Sequence, residues 1–128
     1  MISHWTKFEG KPYGAEKDAA RVTLGPKKAI MLNEVAYEAL GSPAAVEFMF
    51  EENHKIIGLK PIDPRRDNAF PVKPRKGSRY HVIRAAAFCT HLGIKVDRTM
   101  LFNNVEIDNE GVMKLELKTA TNVSRGAR

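Results

Sequence analysis

Apolar and polar residues alternate along several short stretches of this chain, and two of those stretches run directly into short helical patterns. Ile30 and Leu32 fall on one face of residues 28–32, the period-two spacing of a strand. Asn33 follows, and its side chain accepts from backbone N–H groups, which suits the start of a helix. Glu34 places negative charge in the first turn, where the helix dipole favours it. Val35, Tyr37 and Leu40 complete a short amphipathic helix, and Gly41 ends it where left-handed geometry is needed. The same grammar returns 52 residues later (92 minus 40), in residues 82–93 with their terminal Leu92-Gly93.

The flanking segments extend the pattern. Val22-Thr23-Leu24 reads as a strand before a Gly25-Pro26 turn, and Ser42-Pro43 forbids continuation of the first helix. Val46, Phe48 and Phe50 alternate, residues 52–55 supply a turn, and residues 56–60 return as a hairpin partner. A first ββαββ unit therefore spans residues 20–62. The second, residues 63–119, opens on a strand at 69–73 whose Pro71 argues for an edge. Its loop at 74–78 is longer and more basic than the first. A strand at 79–83 then leads into a helix over 84–92, with a start at Ser78 the alternative that periodicity leaves open. A strand at 99–107, a turn at 108–111 and a strand at 112–118 close the unit.

Residues 1–19 read as an N-terminal arm anchored by Trp5 and Phe8, and residues 120–128 as a disordered tail with little to bury. A unit of this length buries too little alone. The expected fold is thus α+β, mostly β: a single-domain, pseudo-two-fold barrel of two ββαββ units. Its shared core is assigned to Ile30, Leu32, Leu40, Val46, Phe48, Phe50, Ile57, Leu59, Val82, Phe88, Leu92, Leu101 or Phe102, Leu115 and Leu117.

Charge changes this picture most. The formal net charge is +6, and residues 64–84 carry all of it: seven basic residues (Arg65, Arg66, Lys73, Arg75, Lys76, Arg79, Arg84) against Asp67 alone. A localised basic segment suits a phosphate-binding surface, while a solvated linker is the plain reading of the same charges. No apolar run reaches the ~20 residues of a membrane span, and the N-terminus lacks a signal-peptide pattern, so the expected location is cytoplasmic. A single cysteine, Cys89, forms no intrachain disulfide and no zinc framework.

The order of landmarks over residues 21–61 resembles the AbrB/SpoVT type of swapped-hairpin DNA-binding module. The residues that carry the likeness are Val22-Thr-Leu24, Ile30-Met-Leu32, the helix from Asn33, Leu40-Gly41, Val46-Glu-Phe48 and Ile56-Ile57. Two such units in one chain resemble the tandem MraZ arrangement, and the Ala-Tyr-Glu-Ala-Leu-Gly helix resembles an uncharacterised group of bacterial proteins. In the swapped-hairpin family a Gly-Arg pair and a proline stand where this chain has Lys28-Ala29 and Asn33. The family's helix arginine falls on Tyr37 and Cys89, and an isoleucine of its second copy on Arg84. The resemblance implies DNA contacts from the two β-turn loops, with lysine and arginine supplying phosphate contacts.

Candidate nucleic-acid-binding residues are accordingly Lys27, Lys28, Lys73, Arg75, Lys76, Arg79 and Arg84, with the two loops expected side by side. Opposed loops, or charges paired off by Glu34 or Asp67, would set DNA binding aside first and leave only the fold. DNA is the first expected partner and RNA the second. The alternative is a non-catalytic oligomeric scaffold or adaptor stitched together through Trp5 and Phe8. No catalytic constellation, metal site or cofactor is expected: His4, His54, His81 and His91 form no i, i+4 pair, and Cys89 and His91 point to different helix faces.

Overall fold

Asn33 sets the first junction of the fold. Its Oδ1 accepts from Ala36 N and from Arg21 N, both at 2.9 Å, and its Nδ2 donates to the Ala19 carbonyl at 2.8 Å. One side chain thereby caps helix α1 (Glu34–Ala39) and ties the approach to strand β1 (Val22–Leu24) to the end of strand β2 (Ala29–Leu32). The computed structural model describes residues 19–123 of the 128-residue chain. Trp5, Phe8 and nearly all of the expected arm lie outside the described residues.

After α1 come β3 (Ala45–Glu51), β4 (Ile56–Pro61), β5 (Phe70–Pro74), β6 (His81–Arg84) and helix α2 (Ala86–Leu92). Four short strands follow: β7 (Met100–Leu101), β8 (Glu106–Ile107), β9 (Met113–Glu116) and β10 (Thr121–Asn122). The ten strands form one sheet in the order β10-β7-β1-β2-β6-β5-β3-β4-β9-β8, with every neighbouring pair antiparallel. Val22 and Leu24 of β1 stand six places from Met113 and Leu115 of β9 in that order, yet all four belong to one buried cluster. The sheet therefore curls into a half-barrel around its own apolar face, with two short helices attached.

This corrects the expected barrel of two ββαββ units. The six strands from β7 to β3 are disposed evenly about the central β2–β6 pair, but the closing hairpins are not repeated. β3 pairs with β4 over six rungs, whereas the two residues of β7 pair with β10, and β4 pairs onward with β9. The cause lies in residues 99–107, where alternation predicts one strand. Phe102 turns into the core at 2% exposure, its N–H donating to the Val22 carbonyl at 3.0 Å. Asn103 Nδ2 then bonds to the Thr119 carbonyl and to Thr121 Oγ1. Side-chain amides that satisfy nearby backbone compete with the ladder and stop the strand. The same contacts draw residues 121–122, read from sequence as tail, into the sheet.

Two core assignments move for related reasons. Ile83, not Val82, is fully buried, because the β2–β6 register sets Ile83 opposite inward-facing Ile30 and Val82 opposite Met31. A one-residue change of phase exchanges the two faces of a strand. Leu92 is 37% exposed, because the chain reverses at Gly93 (φ 69°) and Ile94 packs on the core instead, its N–H bonding to the Cys89 carbonyl at 2.8 Å. Phe48 links the helix to the sheet, stacked on Phe88 of α2 and edge-on to Phe70, each at 4.5 Å. No described helix is long and apolar enough to cross a membrane.

Candidate nucleic-acid interface

The two basic loops are separated by the central ladder. β2 and β6 run antiparallel from Ala29 opposite Arg84 at one end to Leu32 opposite His81 at the other. The β1–β2 loop with Lys27 and Lys28 leaves the first end, and the β5–β6 loop with Arg75, Lys76 and Arg79 leaves the second. Side-by-side loops are thus a topological impossibility here, and that expectation is corrected. Each loop instead meets the helix that follows the other loop. Lys28 adopts φ 61°, its carbonyl accepts from Ala85 N at 2.8 Å, and its Nζ donates to Thr90 Oγ1 of α2 at 3.2 Å. Arg79 Nη1 lies 3.4 Å from Glu34 Oε2 of α1, with side chains 88% and 47% exposed, so the pair is screened and weak.

What the sheet does bring together is a set of cations on its outward face. Ile83 and Val72 point inward, so by alternation Arg84 of β6 and Lys73 of β5 point outward. The ladder continues past Pro74, with Arg75 N bonding to the Tyr80 carbonyl at 2.8 Å. The Arg75 guanidinium reaches back across the same face to Met31 Sδ on β2, 3.8 Å from Nη1. Lys76 stands exposed in the turn beyond, where Gly77 takes φ 81°.

Cross-strand partners separate this half of the sheet from the other. On the outward face of β3, β4, β8 and β9, Lys60 stands opposite Glu47, and Lys114 opposite Glu106. Opposite charges so placed lower one another's field without closing to ion pairs, Lys114 Nζ lying 4.0 Å from Asp108 Oδ2 instead. On β2, β5 and β6, Lys73 stands opposite Val82 and Arg84 opposite Ala29. Among the described residues no carboxylate pairs with Lys73, Arg75, Lys76 or Arg84. The outward carboxylate on neighbouring β3, Glu47, accepts instead from Asn68 Nδ2 at 2.8 Å. Sequence reading named these four cations but had no means of knowing their cross-strand neighbours.

An open cleft of about 950 Å³ lies at the β5–β6 loop end of the ladder, a feature that sequence reading missed. Arg21, Asn33, Glu34, Glu38, Arg79 and Tyr80 are among its walls, gathered from segments far apart in the chain. It holds charges of both signs, and no Cys or His is among its described lining residues. Cys89 is fully buried in α2, and burial pushes its thiol above the ordinary range, with the Lys28 charge acting weakly the other way. His81 stacks on Tyr37, and its Nδ1 is buried with no hydrogen-bond partner among the described residues. No group of three or more His, Cys, Asp or Glu among the described residues is placed to hold a metal ion.

No family model, curated protein or solved structure matches the chain.

Proposed function

We propose that this chain binds nucleic acid, DNA or RNA, through the outward face of β2, β6 and β5, with Lys73, Arg75, Lys76 and Arg84 meeting phosphates. The opposed loops and the Arg79–Glu34 pair set aside the expected DNA contacts from the two loops, and the present reading rests on a different surface, the sheet face between them. One observation carries it: the cations of β5 and β6 face apolar cross-strand partners, while those of β4 and β9 face glutamates. A sheet that sets carboxylates opposite the cations of one half and apolar residues opposite those of the other leaves the second half with a less compensated field for polyanions. A cytoplasmic location goes with this reading and is supported by the single, unpaired Cys89 thiol. In this reading the role is one of binding.

The test is fluorescence anisotropy with labelled DNA and RNA across a salt series. Affinity should fall steeply as salt rises, and should fall again when Lys73, Arg75, Lys76 and Arg84 are changed together to glutamine. Absence of binding to any nucleic acid at about 50 mM salt would rule the reading out and leave the scaffold role, for which removal of residues 1–9 changes oligomer size.

A further inference from the structure

We propose that the open cleft at the β5–β6 loop end is the docking site for residues 1–18 of the same chain, an inference that stands apart from the nucleic-acid reading. At about 950 Å³ the cleft falls within the range of sites that bury a ligand. Its walls include the first described residues, Ala19 and Ala20, beside Arg21. Asn33 holds them there: its Nδ2 donates to the Ala19 carbonyl at 2.8 Å, and its Oδ1 accepts from Arg21 N at 2.9 Å. The preceding residues therefore depart from a fixed point on the cleft wall. Trp5 stands 14 residues before Ala19 (19 minus 5) and Phe8 stands 11 before it (19 minus 8). At no more than ~3.6 Å per residue, Trp5 is confined within about 50 Å of that wall. Such confinement is an effective concentration of about a few millimolar, so weak contacts suffice for docking. A separate partner has no such tether.

The cleft and the segment match in chemistry. Glu34 and Glu38 line the cleft one turn apart on α1, a helix that holds no basic residue to pair with them. Glu34 meets only the exposed Arg79, and Glu38 forms no ion pair among the described residues. Neither does Arg21. Val35 and Leu101 add apolar wall and are only half-buried. Residues 1–18 carry the complement of each group. Lys7, Lys11 and Lys17 suit the two glutamates, Glu9, Glu16 and Asp18 suit Arg21, and Trp5 and Phe8 suit the apolar wall. Aromatic side chains gain most from such cover, because each removes a large apolar area from water.

Trp5 is the chain's single tryptophan, so its fluorescence reports on the segment without a label. The experiment titrates the full chain, native and urea-unfolded, with acrylamide, a neutral quencher. Docking should make quenching of native Trp5 about threefold less steep than in the unfolded chain. The variant Glu34→Lys, Glu38→Lys should remove at least about half of that protection while circular dichroism shows the body still folded. Glu106→Lys, Glu110→Lys makes the same change of net charge away from the cleft and should leave the protection intact. Dilution over a roughly 100-fold range should also leave it intact, because the contact lies within one chain. Should the cleft variant unfold the body, Arg21→Glu makes the same test from the opposite charge. Three results each overturn the inference: native Trp5 as open to acrylamide as in urea, equal protection in the cleft variant and its control, or protection that fades on dilution. The last would place Trp5 on a second copy. Failure of nucleic-acid binding leaves a positive result standing.

Discussion

The ring of Tyr37 lies flat on the ring of His81, centroids 3.5 Å apart and planes within 6° of each other. Tyr37 belongs to α1 and His81 opens β6, so the stack fastens the first helix to the central ladder. Tyr37→Ala should therefore lower unfolding free energy by about 2 kcal/mol, combining the stack with lost apolar contact, and Tyr37→Phe by less than about 0.5 kcal/mol. Urea unfolding of the three proteins measures this, and equal losses in both variants would assign the effect to the hydroxyl instead. His81→Phe removes a buried nitrogen that lacks a partner among the described residues, and should leave stability unchanged or raise it by about 1 kcal/mol.

Asn33 makes three hydrogen bonds with one amide, to Ala36, Arg21 and Ala19. Asn33→Ala should cost about 2 kcal/mol, a lost cap plus the junction with β1. Asn33→Asp keeps the acceptor for Ala36 and Arg21 and loses only the donor to Ala19, so it should cost less than half as much. Hydrogen exchange at Arg21 and Ala36 in the alanine variant separates loss of the cap from global destabilisation.

The first helix was legible because its signals are local. Glu34, Gly41 and the cap that Asn33 places on Ala36 N act within one turn of their own backbone, and the helix forms where they predict it. The sheet was less legible because its decisive facts are pairings. Val82 and Ile83 are both apolar, and only the partner strand decides which faces inward. Residues 99–107 alternate well enough for one strand, and their break depends on Asn103 meeting Thr119 and Thr121, contacts that local pattern does not encode. The cations behave likewise. Their concentration in one segment is visible in the sequence, but the opposed loops and the apolar neighbours of Lys73 and Arg84 follow from the β2–β6 ladder.

Asp108 governs the turn between β8 and β9. Its Oδ1 accepts from Val112 N at 3.0 Å and from Glu110 N at 2.9 Å. These bonds, the one from Val112 foremost, with help from the Lys114 and Lys60 charges, hold its carboxyl below the usual range. A depressed folded-state value means that the contribution is present above the unfolded value of about 3.9 and is lost as pH falls through the folded one. Asp108→Asn keeps an acceptor but no longer titrates, so its urea midpoint should decline less steeply below about pH 4 than that of the parent. The decline should persist in part, because the Glu51 and Asp63 carboxyls are also held low, by the His54 backbone N–H and by Arg65 respectively. Parallel acid curves for the two proteins would show that the turn contributes nothing.

Cys89 offers the opposite sign. The residue is fully buried among Ala36, Ala85 and other members of the core, and its thiol is pushed up because the thiolate is poorly solvated there. Above the unfolded value of about 8.5 the unfolded chain releases its thiol proton while the folded chain retains it. Stability from this group is thus fully present at neutral pH and declines as pH rises through the folded-state value. Cys89→Ala should remove that alkaline decline, at a cost at neutral pH of about 1 kcal/mol for the small cavity left by the sulfur. Labelling should follow the same physics. A thiol reagent at pH 7.5 should react with native protein at least about 100-fold more slowly than with urea-unfolded protein, since reaction requires the core to open and the open state is rare. Lys28→Met removes the one charge that favours the thiolate and should slow native labelling further if ionisation within the folded state contributes. If opening alone controls the rate, labelling should instead track the stability of the variant. Rapid modification of the native chain at neutral pH would mean that Cys89 is reachable and ionised, contrary to its place in the core.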